Sequence, residues 1–171
     1  MKLLIVVDMQ KDFINGALGT KEAQAILPAV QAKINGYKEK GWPILFTRDT
    51  HTDNYLQTQE GQHLPVPHCI KNTDGWQIDT SLDTAGAVLF DKPSFGSLDL
   101  AGWIKQHYPE VTEIELIGLC TDICVLSNAI ILKAAFPETV ITVASAACAG
   151  VTPVSHRNAL EAMKMCQIQV K

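Results

Sequence analysis

The sequence predicts an α/β domain whose parallel sheet is covered by helices on both faces, and three observations predict it. Short apolar runs alternate with longer stretches of helical period. No internal repeat, low-complexity tract or linker interrupts them. The 171 residues, 47% hydrophobic and 19% charged, are enough for one large core and short for two, which gives a single domain over residues 1–171.

The elements follow in order. Apolar runs at residues 3–7, 44–47, 87–90, 114–117, 140–144 and 166–170 are read as strands. Residues 21–40, 98–107, 122–135 and 153–165 carry helix formers with apolar positions three and four apart, and are read as helices. One long connection, about residues 49–85, is rich in Gln, Thr, Pro, Gly and His. Loops above about 12 to 15 residues in compact domains tend to be functional or disordered, and the histidines favour function.

Composition excludes several classes of partner. Fourteen basic against 18 acidic residues give a net charge of -4, with no block of like charge, which argues against nucleic acid. The apolar opening run ends at Asp8, too soon for a signal segment or a membrane span, so a cytoplasmic protein with no membrane partner is expected. The five cysteines are odd in number and form no C-x-x-C pair, and are read as thiols.

Polar residues placed on the strands bring out the chemistry. Asp8 follows the first strand, Arg48 and Asp49 the second, Asp91 and Lys92 the third, and residues 118–124 the fourth. Open parallel sheets bind ligands outside the carboxyl ends of their strands, so these segments converge on one site. Taken singly, Asp8 reads more readily as a cap or turn residue and Lys92 as a solvated one, and Cys124 reads equally as a small buried hydrophobe. Cys124 stands where the fourth strand passes into a helix, and unpaired N–H groups there are expected to lower its pKa and to hold an oxyanion. Lys92 could keep the thiol ionised and Asp8 could carry its proton. Cys120, Cys148 and Cys166 are read as small hydrophobes. In Asp49-Thr50-His51, residues two apart along an extended segment point the same way and could face one cation, with His68 and Glu60 completing the set. Oxygen and imidazole ligands suit zinc, manganese, iron or nickel. His63 does not fit the spacing. The tryptophans, His107 and His156 are read as structural, with a pocket-lining place for Trp76 as the alternative.

Together, Asp8-Met-Gln-Lys-Asp-Phe13, Arg48-Asp49-Thr-His51, Pro67-His68, Lys92 and Gly118-Leu-Cys-Thr-Asp-Ile-Cys124-Val resemble the isochorismatase-like cysteine hydrolases, particularly their nicotinamidase/pyrazinamidase branch. The resemblance runs in order along nearly the whole chain. It implies a three-layer αβα Rossmann-like fold with a six-stranded parallel sheet, and an Asp8–Lys92–Cys124 triad. It also implies an oxyanion hole from the backbone N–H groups of Cys120 and Cys124, reached through a cis Leu119–Cys120 bond. It further implies a divalent metal on Asp49, His51, His68 and, as a further carboxylate, Glu60. A pyridine ring would lie between Phe13 and a second aromatic, for which Phe95 is available, and a homo-oligomer is allowed. Thr50 stands where this branch commonly has Trp, and the segment after Lys92 is compressed. Isochorismatases lack the metal and replace the nucleophile, so Cys124 argues against that activity.

The activity implied is hydrolysis of a small-molecule amide, nicotinamide, to its acid and ammonia through a Cys124 thioester. Two other readings stand beside it: hydrolysis of another small amide or N-carbamoyl compound, and a catalytically idle protein that binds a pyridine or a partner.

Overall fold

Strand β1, Lys2–Val7, lies inside a six-stranded sheet in which every pairing is parallel, in the order β3-β2-β1-β4-β5-β6. The other strands are β2 (Ile44–Asp49), β3 (Val88–Lys92), β4 (Glu113–Leu119), β5 (Val140–Ala149) and β6 (Gln169–Val170). The computed structural model describes residues 1–171. Leu3 through Val7 have no exposed surface at all, which is why this strand reads as an unbroken apolar run. Strand order reverses between β1 and β4, and the crevice for a ligand opens at the carboxyl ends on either side of that point.

Helix α3 (Leu27–Glu39) packs on β1, β2 and β5. Helices α5 (Leu98–His107), α6 (Leu126–Ala135) and α7 (Pro153–Met165) pack side by side, on the opposite face given right-handed crossovers running in the opposite direction along the sheet. The ranges expected for α5 and α7 match. The single helix expected over residues 21–40 is instead two, α2 (Lys21–Ala25) and α3, broken at Ile26. Pro28 has no N–H to continue a helix but suits the first turn of a new one, so the chain restarts there.

Three other expectations change. Strand β5 runs on to Ala149, past a register shift against β4 between Leu116 and Gly118. Strand β6 keeps only two residues, because α7 runs to Met165 and Gln167 turns at positive φ. The long connection has structure of its own: a 3₁₀ turn at Tyr55–Gln57 and helix α4 (Gln59–His63), whose N-cap Thr58 accepts a hydrogen bond from the Gly61 N–H. A short helix α1 (Lys11–Ile14) follows β1. No helix is long and apolar enough to cross a membrane.

Candidate active site

Four strand ends build the site, and the local backbone explains how. Asp8 leaves β1 at φ 47, a left-handed conformation that Asp tolerates better than most residues, and this turns its carboxylate into the sheet's end instead of along the strand. Gly118 in β4 has φ 112, and a Cβ there would lie 2.1 Å from the Val7 carbonyl oxygen. Only glycine lets β4 come this close to β1. The Leu119–Cys120 peptide bond beyond it is cis, and one π-helical turn, Thr121–Val125, carries Cys124 into α6.

Lys92 is the centre of this arrangement. Its Nζ lies 2.6 Å from Asp8 Oδ2, 3.4 Å from Cys124 Sγ and 3.7 Å from Asp49 Oδ1, and it donates to the Ser94 carbonyl at 3.1 Å. Thr47 donates its hydroxyl to Asp8 Oδ1 at 2.6 Å. Asp8, Lys92 and Cys124 are all buried. The structure therefore brings the three sequence-predicted residues together from three different strand ends.

The electrostatics differ from the expectation for the thiol. Burial, and next the Asp8 carboxylate, push Cys124 well above the ordinary thiol range, and Lys92 opposes this only in part. Cys124 thus rests as a thiol and not as the preformed thiolate expected at a helix start, because loss of solvent beside a carboxylate outweighs the Lys92 charge. Burial raises Asp8 too, with Lys92 opposing. For Lys92 burial works downward, but Asp8, Cys124 and Asp49 outweigh it, so the ammonium stays charged. A base of raised proton affinity thus adjoins a protonated nucleophile, with a fixed cation touching both.

Beside the triad stand Asp49, His51, Glu60 and His68, whose ligand-type atoms all lie within 4.8 Å of one another. His51 Nε2 is 3.0 Å from Asp49 Oδ2 and 3.6 Å from Glu60 Oε1, and His68 Nε2 is 3.6 and 3.7 Å from the same two oxygens. His68 is oriented through Nδ1, 2.8 Å from the Val66 carbonyl, leaving Nε2 for the cluster. The Tyr55 ring packs 4.7 Å from the His51 ring and 5.0 Å from that of His68. Burial raises Asp49, but the His51 hydrogen bond, the adjacent His68 imidazole and the Lys92 charge outweigh it and hold the carboxyl below its usual range. Burial and the Asp49 charge lift Glu60.

This donor set fits a divalent cation. Two carboxylates and two imidazoles with convergent atoms match oxygen and nitrogen coordination; Asp49 turns Oδ2 to the two histidines, while its Oδ1, without a hydrogen bond, faces the Lys92 ammonium at 3.7 Å. The sequence reading had named these four, Asp49 and His51 from their spacing and His68 and Glu60 as further residues of the same loop.

Both half-sites face one cavity of about 680 Å³, within the usual range for small-molecule sites. Phe13, Asp49, Glu60, His68, Phe95, Cys120 and Cys124 all line it, so the two candidate ring-binding aromatics and both oxyanion candidates share its wall. Trp76 does not line it. That indole is buried against β2, donating from Nε1 to Thr50 Oγ1 at 2.9 Å, with the Arg48 guanidinium 3.8 Å from its ring centre. His63, set aside on spacing, does line the cavity, at the exposed end of α4. The sequence reading also missed Thr47 and Gln10. Thr47 sits near the carboxyl end of β2, where polar residues had been sought, whereas Gln10 lies three residues beyond β1.

Comparison with known proteins agrees with this geometry. A curated nicotinamidase/pyrazinamidase of Mycobacterium tuberculosis is 29% identical over 149 residues, 75% of this chain and 77% of that protein. The zinc complex of Pyrococcus horikoshii pyrazinamidase superposes with a TM-score of 0.86 at 30% identity, covering 99% of this chain and 98% of that one. The pyrazinamidase/nicotinamidase of Streptococcus mutans gives 0.86 at 28% identity over the full length of both. The isochorismatase domain family matches residues 2–170, and the chain belongs to that family.

Proposed function

We propose that this protein is a nicotinamidase-type cysteine amidohydrolase that converts nicotinamide and water to nicotinate and ammonia. The observation that carries the reading is the juxtaposition, on one cavity, of the Lys92-bridged Asp8 and Cys124 with four convergent oxygen and nitrogen ligands. Relatives named nicotinamidase or pyrazinamidase support it.

In this reading Asp8 takes the thiol proton as Cys124 Sγ bonds to the carboxamide carbon, and the carbonyl π electrons move onto oxygen. The backbone N–H groups of Cys120 and Cys124 hold that oxyanion. When the oxyanion collapses, the C–N bond breaks and nitrogen leaves as ammonia with the proton from Asp8. Water, deprotonated by Asp8, then attacks the thioester, the C–S bond breaks, and the sulfur recovers the proton. Lys92 stays protonated throughout and offsets negative charge on sulfur and on Asp8. A divalent cation on Asp49, His51, His68 and Glu60, zinc being the first choice, would supply a Lewis-acidic docking point for the pyridine nitrogen. Phe13 and Phe95 would flank the ring.

The test is ammonia release from nicotinamide by the purified, zinc-loaded protein. Turnover at enzymatic rates is expected. No release, with Cys124 still open to alkylation, would overturn nicotinamide as the substrate.

A further inference from the structure

Gln10 has no exposed surface and uses both donors and one acceptor position of its side-chain amide. Its Oε1 accepts from the Asp49 N–H at 2.7 Å, and its Nε2 donates to the Asp49 carbonyl at 2.8 Å and to the Trp76 carbonyl at 2.9 Å. The need for this follows from the sheet. On one side, Asp49 pairs with Lys92 of β3. On the other, β1 has ended at Val7, opposite Thr47, and the chain turns away at Asp8. The last residue of β2 therefore has a backbone N–H and carbonyl facing β1 with no strand to pair them, and the Gln10 amide takes the place of the missing peptide group. Its second donor ties the same point to the long connection that carries His51, Glu60 and His68. Two residues on, Asp12 accepts from the Cys69 N–H at 2.7 Å, beside His68.

We infer that Gln10 is a positioning residue for the cation site: it fixes the Asp49 backbone and locks the Trp76 segment to it, so that Asp49 Oδ2 stands between His51 and His68. The inference rests on the cation reading given above and goes beyond it in assigning a residue that touches neither cation nor substrate. A supporting residue of this kind sets metal affinity by holding a ligand's geometry, and its loss typically costs 10–100-fold.

The test is zinc affinity, measured by competition with a chromophoric chelator on the full chain, for wild type and Gln10→Glu. Glutamate keeps the length and an acceptor for the Asp49 N–H, but turns carboxylate oxygen toward two carbonyls. The expected result is a zinc dissociation constant raised 10–100-fold, with an unchanged circular dichroism spectrum and with excess zinc recovering activity. If Gln10→Glu does not fold, Gln10→Met, neutral and similar in length, carries the same test. A folded variant that binds zinc as tightly as wild type overturns the positioning role. A wild-type protein that binds no zinc overturns the cation reading and this inference with it.

Discussion

The triad and the ligand cluster share one cavity, but they are held together differently. The triad is nearly complete in itself: the Lys92 ammonium lies between Asp8, Asp49 and Cys124, and every member comes from the end of a strand or from the turn that follows one. The cluster gathers two carboxylates and two imidazoles with Lys92 reaching only its Asp49 edge, and three of its four members come from the long connection. A rigid, internally compensated half suits a reaction that must move a proton at a fixed place. A half that is incomplete until a cation arrives suits holding and orienting. Chemistry and recognition are thus separable here by charge balance as well as by position.

That contrast can be broken or sharpened by substitution. The largest effect is expected from Asp8→Asn, which keeps the shape but removes the base. The rate constant for nicotinamide hydrolysis, followed as ammonia release, should fall by about 10²–10⁴-fold with substrate KM little changed. Next, Lys92→Met should destabilise the protein by roughly 3–5 kcal/mol in chemical denaturation, because it leaves Asp8 and Asp49 buried without their shared cation. An increase in stability would show that the triad is not internally compensated.

The cluster should behave in the opposite sense. Removing the metal with a chelator should raise KM for nicotinamide more than it lowers kcat, since the cation is assigned to the ring and not to the thiol. Glu60→Gln should stabilise the metal-free protein slightly, on the order of 0–1 kcal/mol in thermal melts, because the Asp49 charge and burial already lift the Glu60 carboxyl. The same change should weaken zinc binding. Loss of stability in the metal-free state would contradict that charge imbalance.

The smallest effect lies at the opposite end of the sheet. Burial raises Glu113, but Lys2 at 2.5 Å and Lys171 at 2.9 Å outweigh it and hold the carboxyl below its usual range. Its folded pKa is depressed, so its contribution to stability is present above the unfolded value of about 4.3 and is lost as pH falls through the folded value. Acid melts of Glu113→Gln should lack that part of the slope while leaving activity unchanged.

Much of this site was legible because strand ends are legible. Asp8, Asp49 and Lys92 each follow an apolar run, and Gly118 with Cys124 follows a fourth, so placing polar residues at carboxyl ends led to the triad and to Asp49, while the D-x-H spacing and the histidines of the long connection led to the rest. What was not legible depends on side chains acting as backbone or on loop folding. Gln10 is silent in sequence, because its role arises only when β1 stops before β2 does. Helix α4 is five residues long with one capping threonine, below the length at which periodicity can be seen, and it carries His63 to the cavity. The break at Ile26 turned on Pro28 inside a pattern that otherwise reads as one helix. The state of the Cys124 thiol depended on how deeply it is buried beside Asp8, which no spacing reports.

In the proposed reaction Cys124 forms the bond to the substrate carbon. Ammonia release from nicotinamide by zinc-loaded Cys124→Ala, beside wild type at equal metal content, tests it most directly. Loss of about 10⁴-fold or more in kcat, with zinc affinity retained, is the predicted result; turnover near the wild-type rate would contradict it and assign the chemistry to the cation half of the cavity.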